Sequence, residues 1–173
     1  FYGANFWAGM EKYAHCEFFE NRKQGFELDN ELKIHGNWSK AFPQRSFRIL
    51  ANDDYGHSEI NYRLFPEKDI TRFKSFNIRN AGIDWNTTHF RDGLMNRAAR
   101  HTNNDIMDHR NCLLFLNGIY WGVYELRERQ DERYLEQNFD IDPEKVDFLR
   151  FSGNALAGTN TGYIQMLQYV VLQ

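Results

Sequence analysis

Two arginines follow a loop rich in polar and small residues, and this arrangement is typical of phosphate-binding sites. The loop runs from Gly36 to Gln44, and Arg45 and Arg48 come shortly after it. A guanidinium group offers a two-pronged donor that matches a phosphate, and the backbone amides of such a loop add further donors. Taken alone, however, the pair is better explained as a solvated strand face, so these two residues by themselves do not indicate a phosphate site.

The histidines do not have the spacing of a metal site. None of the six forms a paired-ligand motif such as HExxH, and His101 and His109 lie eight positions apart. His35 ends a predicted strand beside Gly36, where it either lines a site or has a structural role. No nucleophile elbow, P-loop or dinucleotide-binding glycine motif occurs. We therefore predict no metal ligands in this chain.

Composition and charge exclude several functional classes. The chain has 173 residues and a net charge of −3, which gives no electrostatic reason to expect nucleic acid as a partner. Its longest apolar runs are too short to cross a membrane. Cys16 and Cys112 are the only cysteines, and we expect two buried free thiols rather than a disulfide framework. The chain lacks an initiator Met and stops within an apolar run, so we expect it to be part of a longer protein.

Alternation of apolar and polar residues predicts the strands that position the arginines. The predicted strands are Tyr13–Phe19, Phe26–His35, Arg45–Leu50, Phe73–Arg79, Cys112–Leu116, Tyr120–Leu126 and Val146–Phe151. Asn117 and Gly118 predict a tight type I′ turn, because both central positions of that turn take a positive φ. The aromatic fraction of 16% is high and indicates a β-rich core, or alternatively a surface on which sugars or bases stack.

Helical spacing of apolar residues predicts two helices, and a third segment is open between helix and strand. His89–Arg100 is predicted as an amphipathic helix, because Phe90, Leu94, Met95 and Ala98 recur at helical spacing, with Asp84 or Thr87 capping its first turn. Asp131–Phe139 is predicted as a short helix, Ser152–Gly162 as a connecting loop, and Tyr163–Leu172 as a helix or strand. The fold class is therefore α+β with a mostly antiparallel sheet.

Five segments, in order along the chain, resemble the CotH kinase family, named after spore coat protein H. Leu32–Ile49 (LKIHGNWSKAFPQRSFRI) resembles the family's IHG…S…PQKS(L/Y)RI block, and Tyr62–Phe65 (YRLF) is similar to its YPLF. Phe76–Asp92 (FNIRNAGIDWNTTHFRD) resembles LRNSGNDW…FRD. Leu114–Leu135 (LFLNGIYWGVYELRERQDERYL) resembles VFLNGEYWGIYNLRERID…YL and is the most specific, and Asp140–Leu149 resembles the tail of that block.

The resemblance implies an atypical protein-kinase-like fold that binds ATP with Mg²⁺ or Mn²⁺ and phosphorylates a protein. It implies that residues 1–128 form the nucleotide-covering lobe and that residues 129–173 begin the helical part that follows. Members include secreted bacterial proteins, so we expect a secreted or cell-surface location. The residues that the resemblance assigns to nucleotide binding are Gly36, Ser39, Arg45, Arg91, Leu126 and Glu128.

These assignments compare each segment with the parts of a protein-kinase nucleotide site. The loop from Gly36 to Gln44 would cover the nucleotide, Arg45 would pair with its phosphates in place of the family's usual Lys, and Leu126–Glu128 would lie near the adenine as the hinge. The resemblance places the family's paired metal-binding acids beyond Gln173 and implies that the chain ends before the catalytic lobe, so we expect residues 1–173 to be inactive alone. The alternative is a carbohydrate- or surface-binding module that has lost catalysis.

Overall fold

The computed structural model describes residues 3–171, and the chain forms two compact units, Phe1–Arg129 and Gln130–Gln173. The first unit contains a six-stranded antiparallel sheet and one helix, and the second contains two helices and a two-stranded sheet. The predicted α+β class with a mostly antiparallel sheet is confirmed. Within residues 3–171, no helix combines the length and apolar character needed to cross a membrane.

The large sheet has the strand order β1-β2-β3-β6-β8-β7, and all of its neighbouring strands are antiparallel. Its strands are β1 (Glu11–Glu20), β2 (Lys23–His35), β3 (Ser46–Ala51), β6 (Ser75–Arg79), β7 (His109–Leu116) and β8 (Ile119–Arg127). A second small sheet pairs β4 (Ile60–Asn61) with β5 (Arg72–Phe73). The six strands predicted between Tyr13 and Leu126 are confirmed, because one face of each is apolar and packs on the core.

The core lies on one face of this sheet and is rich in aromatic side chains. Its buried members include Leu28, Phe47, Ile49, Phe65, Phe76, Ile78, Tyr124 and Leu126. Successive strand residues point to opposite faces, so Arg48, Asn77 and Arg79 lie on the other side, which we call the polar face. Arg110 on β7 pairs with Glu20 on β1, so the sheet curls until its two edge strands approach each other.

The turn between β7 and β8 has the geometry that the sequence predicts. Asn117 and Gly118 have φ values of 51° and 76°, both in the left-handed region. The two cysteines are free, also as predicted, and burial raises the pKa of both the Cys16 and the Cys112 thiol to about 11. Both thiols therefore stay protonated and unreactive near neutral pH.

The first unit has one α-helix, and its orientation differs from the prediction. Helix α1 spans Arg91–Ala98, but Phe90, Leu94 and Met95 are 51, 53 and 63% exposed. The buried residue of α1 is Gly93, which lies against His109 and Glu125 on the polar face. The apolar residues of α1 therefore do not pack on the core as those of an amphipathic helix would, because the helix contacts the sheet through Gly93.

We expect Gly93→Ala to destabilise the protein even though alanine favours helix more than glycine does. A Cβ atom at Gly93 would lie 2.7 Å from Cδ2 of His109 and 2.9 Å from Oε1 of Glu125, too close for ordinary contact. Overpacking of this kind costs about 1–3 kcal/mol, against a helix gain of up to about 1 kcal/mol. Urea unfolding followed by circular dichroism measures the net loss.

Gly162→Ala is the matched control for that substitution. Gly162 is also helical, in the third helix, but a Cβ there meets nothing within 4 Å. It gains helix propensity without a clash, so we expect unchanged or higher stability. A gain in stability from Gly93→Ala would contradict the close packing of α1 on β7 and β8.

The second unit differs from the sequence prediction in one element. It contains α2 (Glu132–Phe139), β9 (Phe148–Arg150), β10 (Asn154–Ala157) and α3 (Thr161–Val171). Asp131 caps α2 by accepting hydrogen bonds from the amides of Arg133 and Tyr134 at 3.1 Å. Residues 152–162 were expected to be a plain loop, yet β10 lies there and pairs with β9. The last predicted segment forms α3, although its final residue, Leu172, lies outside the described residues.

Candidate functional site: a cationic cluster on the polar face

Arg48 is held in a fixed orientation on the polar face of the central strands. Its Nε donates to Oδ1 of Asn77 on the neighbouring strand at 3.0 Å. Its Nη2 lies 3.0 Å from Nδ1 of His35, at the end of β2. A guanidinium group can only donate, so Nδ1 of His35 must accept and the imidazole is neutral. Arg48 is therefore oriented by two neighbours before any ligand binds.

Four cationic side chains lie close enough to His35 to lower its pKa, and one of them, Arg48, contacts it directly. Burial, and then the charges of Arg48, Arg79, Arg129 and Lys40, lower the pKa of His35 to about 3. His35 therefore stays neutral at physiological pH and adds no charge of its own. We call Lys40, Arg48, Arg79 and Arg129 the cationic cluster. Cations gathered on the polar face of a sheet are suited to an anion with several negative charges, such as a polyphosphate.

The loop predicted to cover a nucleotide lies directly after His35. Gly36 has a φ of 119°, and a Cβ atom there would collide with Oγ of Ser39, so only glycine fits this position. Ser39 lies in the short 3₁₀ helix Trp38–Ala41, which also carries Lys40 of the cationic cluster. In the sequence, Gly36 and Ser39 therefore lie within four residues of Lys40, one member of the cationic cluster.

Arg45 makes different contacts from those of Arg48. Its Nε donates to the carbonyl of Lys40 at 3.1 Å, and its guanidinium lies 4.4 Å from the ring centre of Phe6. Arg45 thus holds the loop closed and stacks on an aromatic ring. The sequence alone names Arg48 as a possible phosphate ligand. The contributions of Arg79 and Arg129 depend on the strand order, in which β6 lies between β3 and β8.

A buried ion network adjoins the cluster between α1 and the polar face. Asp92 of α1 accepts hydrogen bonds from Arg79 of β6, at 3.0 Å, and from Arg127 of β8. Arg127 is fully buried and also donates to Glu125 at 3.0 Å. We call Arg79, Asp92, Glu125 and Arg127 the buried ion network. Because Arg79 belongs to both groups, the network fixes one edge of the cationic cluster.

The carboxyl groups of the network have pKa shifts of opposite sign. Burial raises the pKa of Glu125 and outweighs the opposing effect of Arg127. Burial also acts to raise the pKa of Asp92, but its bond to Arg127 and the charges of Arg127 and Arg79 lower it overall. Asp92 therefore remains ionised and neutralises part of the arginine charge, which keeps both guanidinium groups in place.

Arg91, a predicted nucleotide ligand, lies at the first turn of α1. Its amide donates to Oδ2 of Asp84 at 3.1 Å, and its Nη2 lies 3.4 Å from Oδ1 of the same carboxyl group. Asp84 also accepts hydrogen bonds from the hydroxyls of Thr87 and Thr88, which lower its pKa, and one from the amide of Phe90. The predicted role of Asp84 at the start of this helix is confirmed.

The two predicted hinge residues have partners within the protein. Leu126 is in the core, where β8 runs between β6 and β7. The amide of Glu128 donates to the carbonyl of Asp108 at 3.1 Å, and its carboxylate pairs with Lys68 at 2.7 Å. Burial raises the pKa of Glu128. The structure thus gathers Gly36, Ser39 and Arg45 in one loop, and their role with Leu126 and Glu128 in nucleotide binding stays a prediction.

The residues of these two groups belong to the sequence blocks that suggested a family. A family model described as CotH kinase protein matches residues 32–168, which is most of the chain. The chain belongs to the CotH kinase family. Searches of curated proteins and of solved structures found no match. In this CotH kinase chain, Arg79, Asp92 and Arg127 come from three separate motifs, IRN, FRD and LRER, and the fold brings them together.

Proposed function

We propose that this chain is the nucleotide-binding lobe of a CotH-like protein kinase, with the cationic cluster as its phosphate site. The family supports ATP as the nucleotide, and Arg48, held by His35 and Asn77 amid the charges of Lys40, Arg79 and Arg129, supports a highly charged anion. The triphosphate of ATP is such an anion. ATP bound with Mg²⁺ or Mn²⁺ would also supply the phosphoryl group that is transferred to a protein. Arg48 and Arg129 would bind its phosphate oxygens, and Lys40 would add charge from the loop.

The carboxylates near the cluster do not have the arrangement of a metal site. Asp92 pairs with Arg79 and Arg127, Glu125 pairs with Arg127, and Glu128 pairs with Lys68. Phosphoryl transfer uses carboxylates that bind a metal ion and position the attacking hydroxyl. We therefore propose that these carboxylates orient the basic side chains rather than bind a metal ion, and that residues 1–173 bind the nucleotide without transferring phosphate. Export of the protein belongs to the same proposal and rests on the family.

Calorimetric titration of the chain with ATP and MgCl₂ tests nucleotide binding. We expect saturable one-to-one binding, which weakens as salt concentration rises because the main contacts are charged. Adenosine, which has no phosphates, should bind far more weakly than ATP. Absence of heat and of any thermal shift with ATP would overturn the proposal, as would equal affinities for ATP and adenosine.

Exposed aromatic side chains favour a second candidate, a carbohydrate-binding module without catalysis. On the hairpin of β7 and β8, Phe115, Tyr120 and Trp121 are 56, 54 and 43% exposed. Aromatic rings on a sheet surface can stack on sugar rings. Titration with soluble oligosaccharides, followed by tryptophan fluorescence, tests this candidate. Quenching that Trp121→Ala abolishes, together with no response to ATP, would favour it over the kinase lobe.

A further inference from the structure

A group of metal-ligand side chains lies on the polar face of the hairpin formed by β1 and β2. In the register of these strands, His15 is directly opposite Asp29, and Glu17 is directly opposite Glu27. The two pairs are adjacent and on one face, since strand residues two apart point the same way. One ligand atom from each of His15, Glu17 and Glu27 lies within 4.8 Å of the others. The register of the hairpin thus builds a three-residue constellation.

Asp29 fixes the proton of the histidine in this group. Oδ1 of Asp29 is 2.8 Å from Nδ1 of His15 and accepts a hydrogen bond from the hydroxyl of Tyr13 at 2.7 Å. An ionised carboxylate can only accept, so Nδ1 of His15 carries the proton. In the neutral imidazole, Nε2 then has the free lone pair. Histidines that bind metal ions usually have such a carboxylate on their other nitrogen, because it sets the tautomer and the ring orientation.

The two glutamates place like charges directly across the hairpin. Such a pair destabilises a sheet, because the side chains are close and repel each other. Gln24 Nε2 donates to Oε2 of Glu27 at 2.6 Å, which orients this carboxylate but supplies no positive charge. A divalent cation between Glu17 and Glu27 would replace the repulsion with attraction. One imidazole nitrogen with two carboxylates is a ligand set that suits Zn²⁺ and related first-row metal ions.

We propose that His15, Glu17 and Glu27 bind a divalent transition-metal ion, with Asp29 as the positioning residue of His15. Three protein ligands leave at least one coordination position for water. His15 and Glu17 also line a groove of about 800 Å³ between the edge strands β1 and β7, so solvent reaches this position. The site does not depend on the nucleotide proposal, because Glu27 and His35 are eight residues apart on one strand, or about 26 Å.

Zinc titration of the whole chain, stripped of metal with a chelator and held at pH 8, tests this site. We expect one equivalent of Zn²⁺ to bind. His15→Ala, Glu17→Gln and Glu27→Gln should each weaken binding by at least about tenfold, and Asp29→Asn by about 10–100-fold, the usual effect of losing the partner of a metal-bound histidine. Circular dichroism of each variant establishes that it is folded.

Glu31→Gln is the matched control, because it removes the same charge from the same face of β2 outside the constellation. Its affinity for Zn²⁺ should equal that of the unmodified chain. A second readout is the NMR signal of the His15 ring, which Mn²⁺ should broaden at concentrations that leave the His101 ring unaffected. Absence of zinc binding, or binding that survives His15→Ala and Glu27→Gln, would overturn the proposal.

Discussion

Replacing Arg127 by methionine should lower the free energy of unfolding by about 3–5 kcal/mol, the usual cost of removing one partner from a buried ion pair. Arg127 has no exposed surface, and it donates to both Asp92 and Glu125. The Glu125 side chain is only 3% exposed. Without Arg127, a carboxylate is left in the interior without its cation, and water cannot solvate it.

Urea unfolding followed by tryptophan fluorescence measures this loss, and Arg72→Met is its control. Arg72 makes a bidentate pair with Glu59, with both contacts at 2.7 Å, but its side chain is 69% exposed. The geometry of that pair is as good as in the buried network, but the pair is exposed to solvent. An exposed pair is worth about 0–1 kcal/mol, so we expect a small effect. Equal losses for the two variants would contradict the buried network.

A double variant separates the uncompensated charge from the lost packing. In Arg127→Met with Glu125→Gln, the carboxylate that loses its cation becomes a neutral amide. We expect this protein to be more stable than Arg127→Met alone, because replacing both partners of a buried pair costs less than breaking it. Among residues 3–171, the buried Nε of Arg127 has no hydrogen-bond partner, so the native network is itself not fully satisfied. Loss of packing alone would instead leave the double variant no better than the single one.

The sheet was predictable from the sequence because its pattern is local. Strand residues alternate between an apolar core and a polar face. Phe47 and Ile49, two positions apart on one strand, are both apolar and both buried. The turn at Asn117 and Gly118 was equally clear, since few residue pairs accept two positive φ values. Both features depend on neighbours within a few residues, which is the range that sequence patterns describe well.

The orientation of α1 was not predictable in the same way. Helical spacing of Phe90, Leu94 and Met95 indicates an apolar side, but the structure packs Gly93 against the sheet instead. The choice follows from the polar residues of β7 and β8, which accept Asp92 into an ion network and leave no room for a side chain at Gly93. Those partners lie more than fifteen residues away, so local periodicity carries no information about them.

The candidate site was predictable only in part for a related reason. The loop at Gly36 and the arginines after it are contiguous in sequence, and their suitability for phosphate follows from residue type. The contribution of Arg79 and Arg129 depends on the order of strands β3, β6 and β8. The buried ion network joins Asp92 to Arg127, 35 positions away, and only the resemblance to a family drew attention to both segments.

Replacing Arg48 by glutamine should weaken ATP binding by about 10–100-fold. Arg48 is held by His35 and Asn77, so its guanidinium loses little conformational freedom when a phosphate binds. One hydrogen bond to a charged group contributes about 1.5–3 kcal/mol, and 1.4 kcal/mol is a factor of ten in affinity. Titration of the variant with ATP and MgCl₂ gives the loss, and Arg72→Gln, which removes an exposed charge elsewhere, should bind as the unmodified chain does.

Comparison with Arg45→Gln decides which arginine binds the phosphates. The sequence resemblance assigns this role to Arg45, yet in the structure its guanidinium stacks on Phe6 and its Nε donates to the carbonyl of Lys40. We therefore expect Arg45→Gln to lower stability slightly and to affect ATP affinity less than Arg48→Gln. The loss from Arg48→Gln should also be smaller for AMP than for ATP, because fewer phosphates reach the cationic cluster. A larger loss of affinity from Arg45→Gln would restore the assignment based on the family motif and move the phosphate site from the strand to the loop.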